Sequence, residues 1–260
     1  MTPVTYVDTH CHLLMPKLAP TLPAILERCQ AEDVTTLINI ALGPGPDQLL
    51  AALELQRTRQ GIYTAAGIHP HNASDANDAF YALIRKHRDA LVMVGEIGLD
   101  YHYNFSDPES QRRVFRDQIA LAHEVSLPVI LHIREAHEEA LSILREQPAP
   151  EGSIVHCYTG DAATAARYLD LGFYISFSGI VTFPKSLDIQ EAARVVPRDR
   201  ILAETDAPYL APVPFRGRLC EPWHVKHTVA KLALLREISL EEMAQTLLQN
   251  ARRAFALAPR

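Results

Sequence analysis

Long apolar stretches and cysteine pairs are both missing from this sequence. No run of about 18 apolar residues occurs, so we expect no membrane-spanning helix. The amino terminus has no basic segment followed by an apolar core, so we expect no secretory signal peptide. The four cysteines, Cys11, Cys29, Cys157 and Cys220, are scattered and form no CxxC pair. These absences argue against a disulfide framework and favour a cytoplasmic protein.

An excess of basic residues is also absent. The chain has 25 Lys and Arg against 31 Asp and Glu, which gives a net charge of −6. This charge provides no general electrostatic reason to bind long nucleic acid, so a phosphate-bearing substrate would need a local basic patch or metal ions. The 48% hydrophobic and 22% charged content is typical of a globular protein and excludes disordered and collagen-like classes.

Short apolar runs typical of strands alternate with longer stretches of helical spacing. The runs are residues 4–7, 36–41, 62–68, 91–97, 129–133, 153–156, 173–177 and 201–204. Eight such units predict a (β/α)8 TIM barrel, whose typical size is about 250 residues. An open doubly wound sheet is the rival, but no GxGxxG or Walker-type loop follows any run.

The rest of the chain fits one barrel domain. Two further helical stretches, 221–236 and 240–256, follow the eighth run and would pack outside the barrel as extra C-terminal helices. No linker, internal repeat or low-complexity segment divides the chain. We therefore predict a single domain over residues 1–260.

The string His10-Cys11-His12 ends the first apolar run. Alternate residues of a strand share a face, so Asp8, His10 and His12 are predicted to point one way and Cys11 the other. Two imidazoles about 6–7 Å apart on one strand face can converge on one metal ion.

Further imidazoles and carboxylates stand at the ends of other runs. Because the carboxyl ends of barrel strands form the active-site rim, we expect these side chains to meet there. They are His69 and His71 after the third run, Glu96 and Asp100 after the fourth, His132 in the fifth, His156 in the sixth, and Asp206 after the eighth. Such a set exceeds the needs of one tetrahedral ion and favours two metals about 3.5–4 Å apart, with Glu96 as the natural bridge. Histidine-rich shells suit Zn, Mn, Fe or Co better than Mg.

Seven segments together match a known family in sequence and in order. They are DTHCHL (8–13), AGIHPH (66–71), GEIGLDY (95–101), LPVILHIREAHEEAL (127–141), HCYTGD (156–161), ETDAPYLAPVPFRGR (204–218) and EPWHVKH (221–227). The chain thus resembles the TatD family of metal-dependent hydrolases, within the wider amidohydrolase-type barrels. The resemblance implies a deoxyribonuclease-like enzyme with two divalent ions (Zn, Mn, Mg or similar). Its metal ligands correspond to His10, His12, Glu96, His132, His156 and Asp206.

The expected reaction is cleavage of a phosphodiester at the end of single-stranded DNA, or RNA, by metal-activated water. Asp206 is the predicted general base and proton shuttle, and Glu96 is the second catalytic residue. The predicted substrate-binding residues are His69, His71, Asp100, Arg134 and Arg216. The planar guanidinium of Arg134 suits a phosphate, although a pairing with Glu135 explains it equally well.

Several alternatives stay open from the sequence. Asp100 could instead orient His71 or a ligand histidine, His69 could brace a loop, and Arg216 could be a solvated loop charge. The same metal site would serve an amide or ester hydrolase, such as an amidohydrolase or an aminoacyl-tRNA deacylase. A non-catalytic scaffold is the third possibility. No membrane association and no obligate protein partner are expected.

Overall fold

The computed structural model describes residues 4–103 and 105–257, where strands and helices alternate along the chain. The strands are β1 (Tyr6–Cys11), β2 (Val34–Leu42), β3 (Ile62–Gly67), β4 (Leu91–Asp100), β5 (Val129–Arg134), β6 (Ile154–Val155), β7 (Tyr174–Phe177) and β8 (Ile201–Ala203). The helices are α1 (Leu22–Ala31), α2 (Pro46–Thr58), α3 (Asp78–Lys86), α4 (Pro108–Val125), α5 (His137–Glu146), α6 (Ala162–Asp170), α7 (Leu187–Val195), α8 (Val225–Leu235) and α9 (Leu240–Ala254). Every predicted run corresponds to one of the strands.

The eight strands form one parallel sheet in the order of the sequence, from β1 to β8. The two edges of this sheet meet beyond β8, where Cys11 of β1 forms a parallel bridge with Ala207. Helices follow each strand and cover the outside. The predicted (β/α)8 barrel is therefore confirmed.

Irregular pairing in β1 and β4 shifts the alternation of side chains. Between Asp8 and Cys11, β1 spans three steps while β2 spans the two from Leu37 to Asn39, so β1 contains an extra residue. Strict alternation from the inward-facing Val7 would turn Cys11 into the barrel. The bulge reverses this phase, and Cys11 packs in the outer core instead.

In β4 the extra residue is Glu96. The step from Gly95 to Ile97 in β4 lies opposite the single step from Ile130 to Leu131 in β5. Met93 packs inside the barrel, so strict alternation would turn Glu96 outward. The bulge instead lets Glu96 point inward while Ile97 joins the outer core.

Close approach of β4 to β5 beyond this bulge requires a glycine. Gly98 has a φ of 139°, and a Cβ atom there would lie 2.1 Å from the carbonyl oxygen of His132. Only glycine fits this position without displacing β5. The close approach sets β5, and with it His132, against the strand that carries Glu96.

The last helix closes the amino-terminal end of the barrel. Side chains from all eight strands fill the interior there, including Ile38, Met93 and Leu202. Ala251, Ala254 and Phe255, in and just after α9, pack against this interior cluster. The sequence predicts that both C-terminal helices pack outside the barrel. Helix α8 completes the eighth unit on the outside. The end of α9 covers the amino-terminal end of the barrel, because the apolar interior side chains would otherwise face water.

Among the residues that the structure describes, no helix combines the length and the apolar character that a membrane crossing requires.

Phe255→Ala tests the floor of the barrel. Phe255 is 2% exposed, so truncation should lower the free energy of unfolding by about 3–5 kcal/mol. Leu234→Ala is the control, because Leu234 in α8 is 71% exposed and its loss should change stability by about 0.5 kcal/mol or less. Denaturant unfolding of both variants measures the difference, and equal small effects would show that Phe255 does not seal the barrel.

Candidate metal centre

The site begins at the seam between β1 and the segment after β8. The backbone N–H of Asp206 donates to the carbonyl of His10 at 2.9 Å, and that of His12 donates to Ala207 at 2.7 Å. Asp206 adopts a left-handed backbone with a φ of 59°, a conformation that costs a non-glycine residue about 1 kcal/mol or more and is concentrated at functional sites. The seam thereby holds the Asp206 carboxylate against the two histidines.

Four ligand-type atoms converge in the first donor group. The Nε2 atoms of His10 and His12 are 3.3 Å apart. Glu96 Oε2 lies 3.4 Å from His10 Nε2 and 3.7 Å from His12 Nε2, and Asp206 Oδ1 lies 3.8 Å and 3.4 Å from the same two atoms. Ligands about 2.0–2.1 Å from a tetrahedral zinc ion are separated by about 3.3–3.4 Å. The spacing of this group suits the ligands of one ion.

The second donor group contains the other oxygen of Glu96. Glu96 Oε1 lies 2.7 Å from His132 Nδ1 and 2.7 Å from His156 Nε2. These two imidazole nitrogens are 3.4 Å apart. The two oxygens of one buried carboxylate therefore have different nearest histidines, although His10 and His156 stack on each other beside it. A carboxylate placed between histidines in this way can bridge two metal ions.

Outer carboxylates determine which imidazole nitrogens face the second group. His156 Nδ1 lies 3.0 Å from Glu204 Oε1, and His132 Nε2 lies 3.0 Å from Asp100 Oδ2. Since an ionised carboxylate only accepts, each ring donates through that nitrogen and turns its other nitrogen toward Glu96. Two imidazole nitrogens and a carboxylate oxygen then converge, which becomes the donor set of a divalent cation when the cation replaces the imidazole protons that face Glu96.

Glu204 is itself held by the neighbouring strands. Its Oε1 accepts from the backbone N–H of Cys157 at 2.9 Å, and its Oε2 accepts from Ser176 Oγ at 2.5 Å. Ser176 Oγ lies 3.2 Å from Thr9 Oγ1. Because Glu204 is fully buried and its oxygens have these partners, the orientation of the His156 ring is fixed from behind.

Asp8 supports the first group but does not join it. Its Oδ1 accepts from the backbone N–H groups of Thr205 and His10, at 2.9 Å and 3.3 Å, and its Oδ2 accepts from Thr205 Oγ1 at 2.5 Å. The expected common face for Asp8, His10 and His12 is therefore wrong for Asp8, because the bulge in β1 breaks the alternation. The Cys11 side chain does turn away from the site, as predicted.

Both central carboxylates are held in the charged form. Burial opposes ionisation of Glu96, but the imidazoles of His156, His69 and His10 outweigh it and hold the pKa of Glu96 well below its usual range. Burial likewise opposes ionisation of Asp206, yet hydrogen bonding from His12 and the charge of His10 lower its pKa. Negative charge at both residues favours a cation between them.

His69 lies beside the second group as a hydrogen-bond donor. Its Nδ1 accepts from the backbone N–H of His71 at 3.1 Å, and its Nε2 lies 3.5 Å from Glu96 Oε1. Burial lowers the pKa of His69 to about 4, so the ring is neutral at pH 7. A neutral ring that accepts at Nδ1 carries its proton on Nε2. His69, Glu96 and His132 are close enough to hold an ion, but this tautomer makes His69 a donor instead.

Asp100 connects the second group to the loop after β4. Its Oδ2 accepts from both His132 Nε2 and His71 Nε2, the latter at 2.8 Å. Its Oδ1 accepts from the backbone N–H groups of His102 and Tyr103, at 3.0 Å and 3.1 Å. Asp100 is 1% exposed, so its oxygens are directed at the protein and not at the mouth of the site.

The two predicted arginines lie at the rim. The Arg134 guanidinium is 4.9 Å from the centre of the Tyr103 ring, and Glu135 pairs with His102 and not with Arg134. Arg216 lies over the Phe183 ring at 4.4 Å. Arg134 has no ion-pair partner within residues 4–103 and 105–257.

Sequence reasoning missed the contributions of Thr9, Tyr103 and Phe105. Thr9 contacts the Glu204 network from β1, while Tyr103 and Phe105 stand beside His71 at the mouth. The aromatic string after Asp100, with Tyr101, Tyr103 and Phe105 at alternate positions, was the available signal. Whether such rings are exposed depends on the loop conformation, which this spacing alone does not determine.

Comparisons with known proteins identify the family of this chain. A family model described as TatD related DNase matches residues 7–256. The chain belongs to the TatD-related DNase family. The uncharacterized metal-dependent hydrolase YabD of Bacillus subtilis is 40% identical over 96% of this chain and 98% of its own length. The expectation of a TatD-family, metal-dependent hydrolase is confirmed.

Two further proteins are similar to this TatD-family chain over nearly their whole length. The 3'-5' ssDNA/RNA exonuclease TatD of Erwinia tasmaniensis is 36% identical over 96% of this chain and 99% of its own length. The solved structure of YJJV, a TatD homolog from Escherichia coli K12, superposes with a TM-score of 0.90 at 29% identity, covering 97% of this chain and 98% of that one. The likeness extends over the whole barrel.

Glu204→Gln tests the role of the outer carboxylates. The amide can donate to His156 Nδ1, which would move the ring proton to Nε2 and remove its lone pair from the second group. We expect metal affinity to fall about 10- to 100-fold. Glu124→Gln, on the exposed Arg85 pair, is the matched control and should bind metal normally. Competition with a chelating dye measures both affinities, and an unchanged affinity in Glu204→Gln would contradict the proposed orientation of His156.

Proposed function

We propose that this protein is a divalent-metal-dependent phosphodiesterase that removes nucleotides from the ends of single-stranded DNA, with RNA as a further substrate. The observation that carries the proposal is the position of Glu96, whose two oxygens face two groups of histidines. Paired divalent ions bridged by a carboxylate are typical of enzymes that cleave phosphate esters. The Erwinia tasmaniensis relative named as a 3'-5' ssDNA/RNA exonuclease supports the same substrate class.

The proposed ligands belong to the two donor groups. His10, His12 and Asp206 would hold one ion, His132 and His156 the other, and Glu96 would contact both. When bound, the two ions would lower the pKa of a water molecule and polarise a phosphoryl oxygen. The residues fit this task because their imidazole nitrogens and charged carboxylates are ligand types that divalent transition metals accept.

Asp206 is the proposed general base. Its side chain is 15% exposed, whereas that of Glu96 is 3% exposed, so Asp206 is the carboxylate that an attacking water can reach. It would accept the proton of this water and pass it to the leaving oxygen. Glu96 would fix the position of the two ions relative to each other by contacting both.

The substrate side of the site has donors and cations. His69 presents its Nε2 proton toward Glu96, where a phosphoryl oxygen would also accept it. Arg134 and Arg216 supply positive charge at the rim, which an amide or a neutral ester would not require. His71 stands between this rim and Asp100. The contacts of Asp100 favour an orienting role for it, toward His71 and His132.

The test is a substrate panel with metal-loaded protein. Manganese-loaded enzyme is incubated with end-labelled single-stranded DNA, RNA, blunt duplex DNA and a set of amides and carboxylic esters. We expect stepwise shortening of the single strands, loss of cleavage with a chelator, and recovery when manganese is added back. Turnover of an amide or ester without cleavage of any phosphodiester would contradict the proposal.

Two variants complete the panel. Asp206→Asn removes the proposed base and should lower kcat by about 10²- to 10⁴-fold. Asp199→Asn changes an exposed aspartate away from the site and should leave kcat unchanged.

A further inference from the structure

We propose that Tyr103, Phe105 and Arg134 form a stacking platform for a nucleobase next to the phosphodiester that is cut. This inference rests on the proposed function and specifies how the strand is held. We call these three residues the aromatic platform.

The aromatic platform is an exposed apolar surface in an otherwise polar site. Phe105 is 67% exposed and Tyr103 is 41% exposed. Their rings are stacked, with centroids 5.4 Å apart and planes inclined by 27°. Neighbouring aromatic rings exposed together at the mouth of a site are a candidate binding surface, because their burial by a ligand is favourable.

The imidazole of His71 lies between the platform and the second donor group. The His71 ring contacts Phe105 at 4.8 Å and Tyr103 at 5.5 Å between centroids. The same His71 shares Asp100 Oδ2 with His132, whose Nδ1 faces Glu96. A group resting on the rings is therefore adjacent to the site where a phosphate would bind.

Asp100 holds the loop of the platform in place. Its Oδ1 accepts from the backbone N–H of Tyr103, so one buried carboxylate orients both a donor histidine and this aromatic residue. A surface held rigidly before binding loses less conformational entropy when a ligand arrives. The bond from Tyr103 thus ties one ring of the platform to the carboxylate that also orients His132.

The positive charge of Arg134 beside the rings favours a ligand that joins a planar group to an anion. Its guanidinium stacks 4.9 Å from the Tyr103 ring centre and forms no ion pair with any residue the structure describes. A planar apolar surface beside an available cation matches a nucleotide, which joins a planar base to a phosphate. Because the exposed ring of Phe105 offers a π-face and no hydrogen-bond pattern, the contact should accept any base.

The experiment uses single-stranded DNA in which one abasic nucleotide is moved stepwise through the positions near the cleaved end. For the wild-type enzyme, an abasic nucleotide at one position should raise KM about 5- to 150-fold while kcat stays nearly constant. A Tyr103→Ala/Phe105→Ala double variant should have a similarly raised KM for the intact strand and no added penalty for the abasic one. Tyr103→Phe and Phe105→Trp keep the rings and should retain the wild-type pattern.

Leu187→Ala is the matched control, because Leu187 in α7 is also 67% exposed but lies outside the platform. It should leave both strands unaffected. Equal KM for intact and abasic strands at every position in the wild-type enzyme would overturn the platform. So would a double variant that still distinguishes the two strands.

Binding without turnover separates this inference from the proposed function. Fluorescence anisotropy with labelled strands in the presence of a chelator should show the same abasic penalty in Kd, lost in the double variant. If the wild-type enzyme cleaves strands but shows no abasic penalty, the platform is wrong and the phosphodiesterase stands. If it cleaves no strand while the penalty in Kd persists, the proposed reaction is wrong and the platform stands.

Discussion

The site depends on how the barrel closes between β1 and the segment after β8. Asp8 contacts Thr205 through both carboxylate oxygens, and Thr9 Oγ1 donates to the carbonyl of Ala203 at 3.0 Å. These buried bonds join the first and last strands, which lie about 200 residues apart in sequence. The closure that completes the fold also places Asp206 against His10 and His12.

Two β-bulges then direct the ligand side chains of β1 and β4 into the barrel. Without the extra residue in β1, Cys11 would take the inward position, and without the one in β4, Glu96 would face the helices. Outer carboxylates complete the arrangement, since Glu204 and Asp100 select the nitrogens that His156 and His132 present. Barrel strands provide a rigid frame, and local irregularities adapt it to the needs of the site.

Much of this arrangement could be predicted from the sequence. Apolar runs at regular spacing predict the eight strands, and the position of His132 or Asp206 at a strand end places each at the rim. Strict alternation could not place Asp8, because a bulge depends on pairing with β2 and not on local composition. The exposure of Tyr103 and Phe105 and the covering of the barrel floor by Phe255 also depend on tertiary contacts, which no short segment encodes.

We propose that each carboxylate oxygen of Glu96 contacts a different metal ion. Anomalous X-ray diffraction from crystals of the protein loaded with manganese tests it most directly. The account predicts two anomalous peaks about 3.5–4 Å apart, one among His10, His12 and Asp206, the other against His132 and His156, with Glu96 touching both. A single peak, or a peak coordinated by His69 in place of these residues, would contradict it.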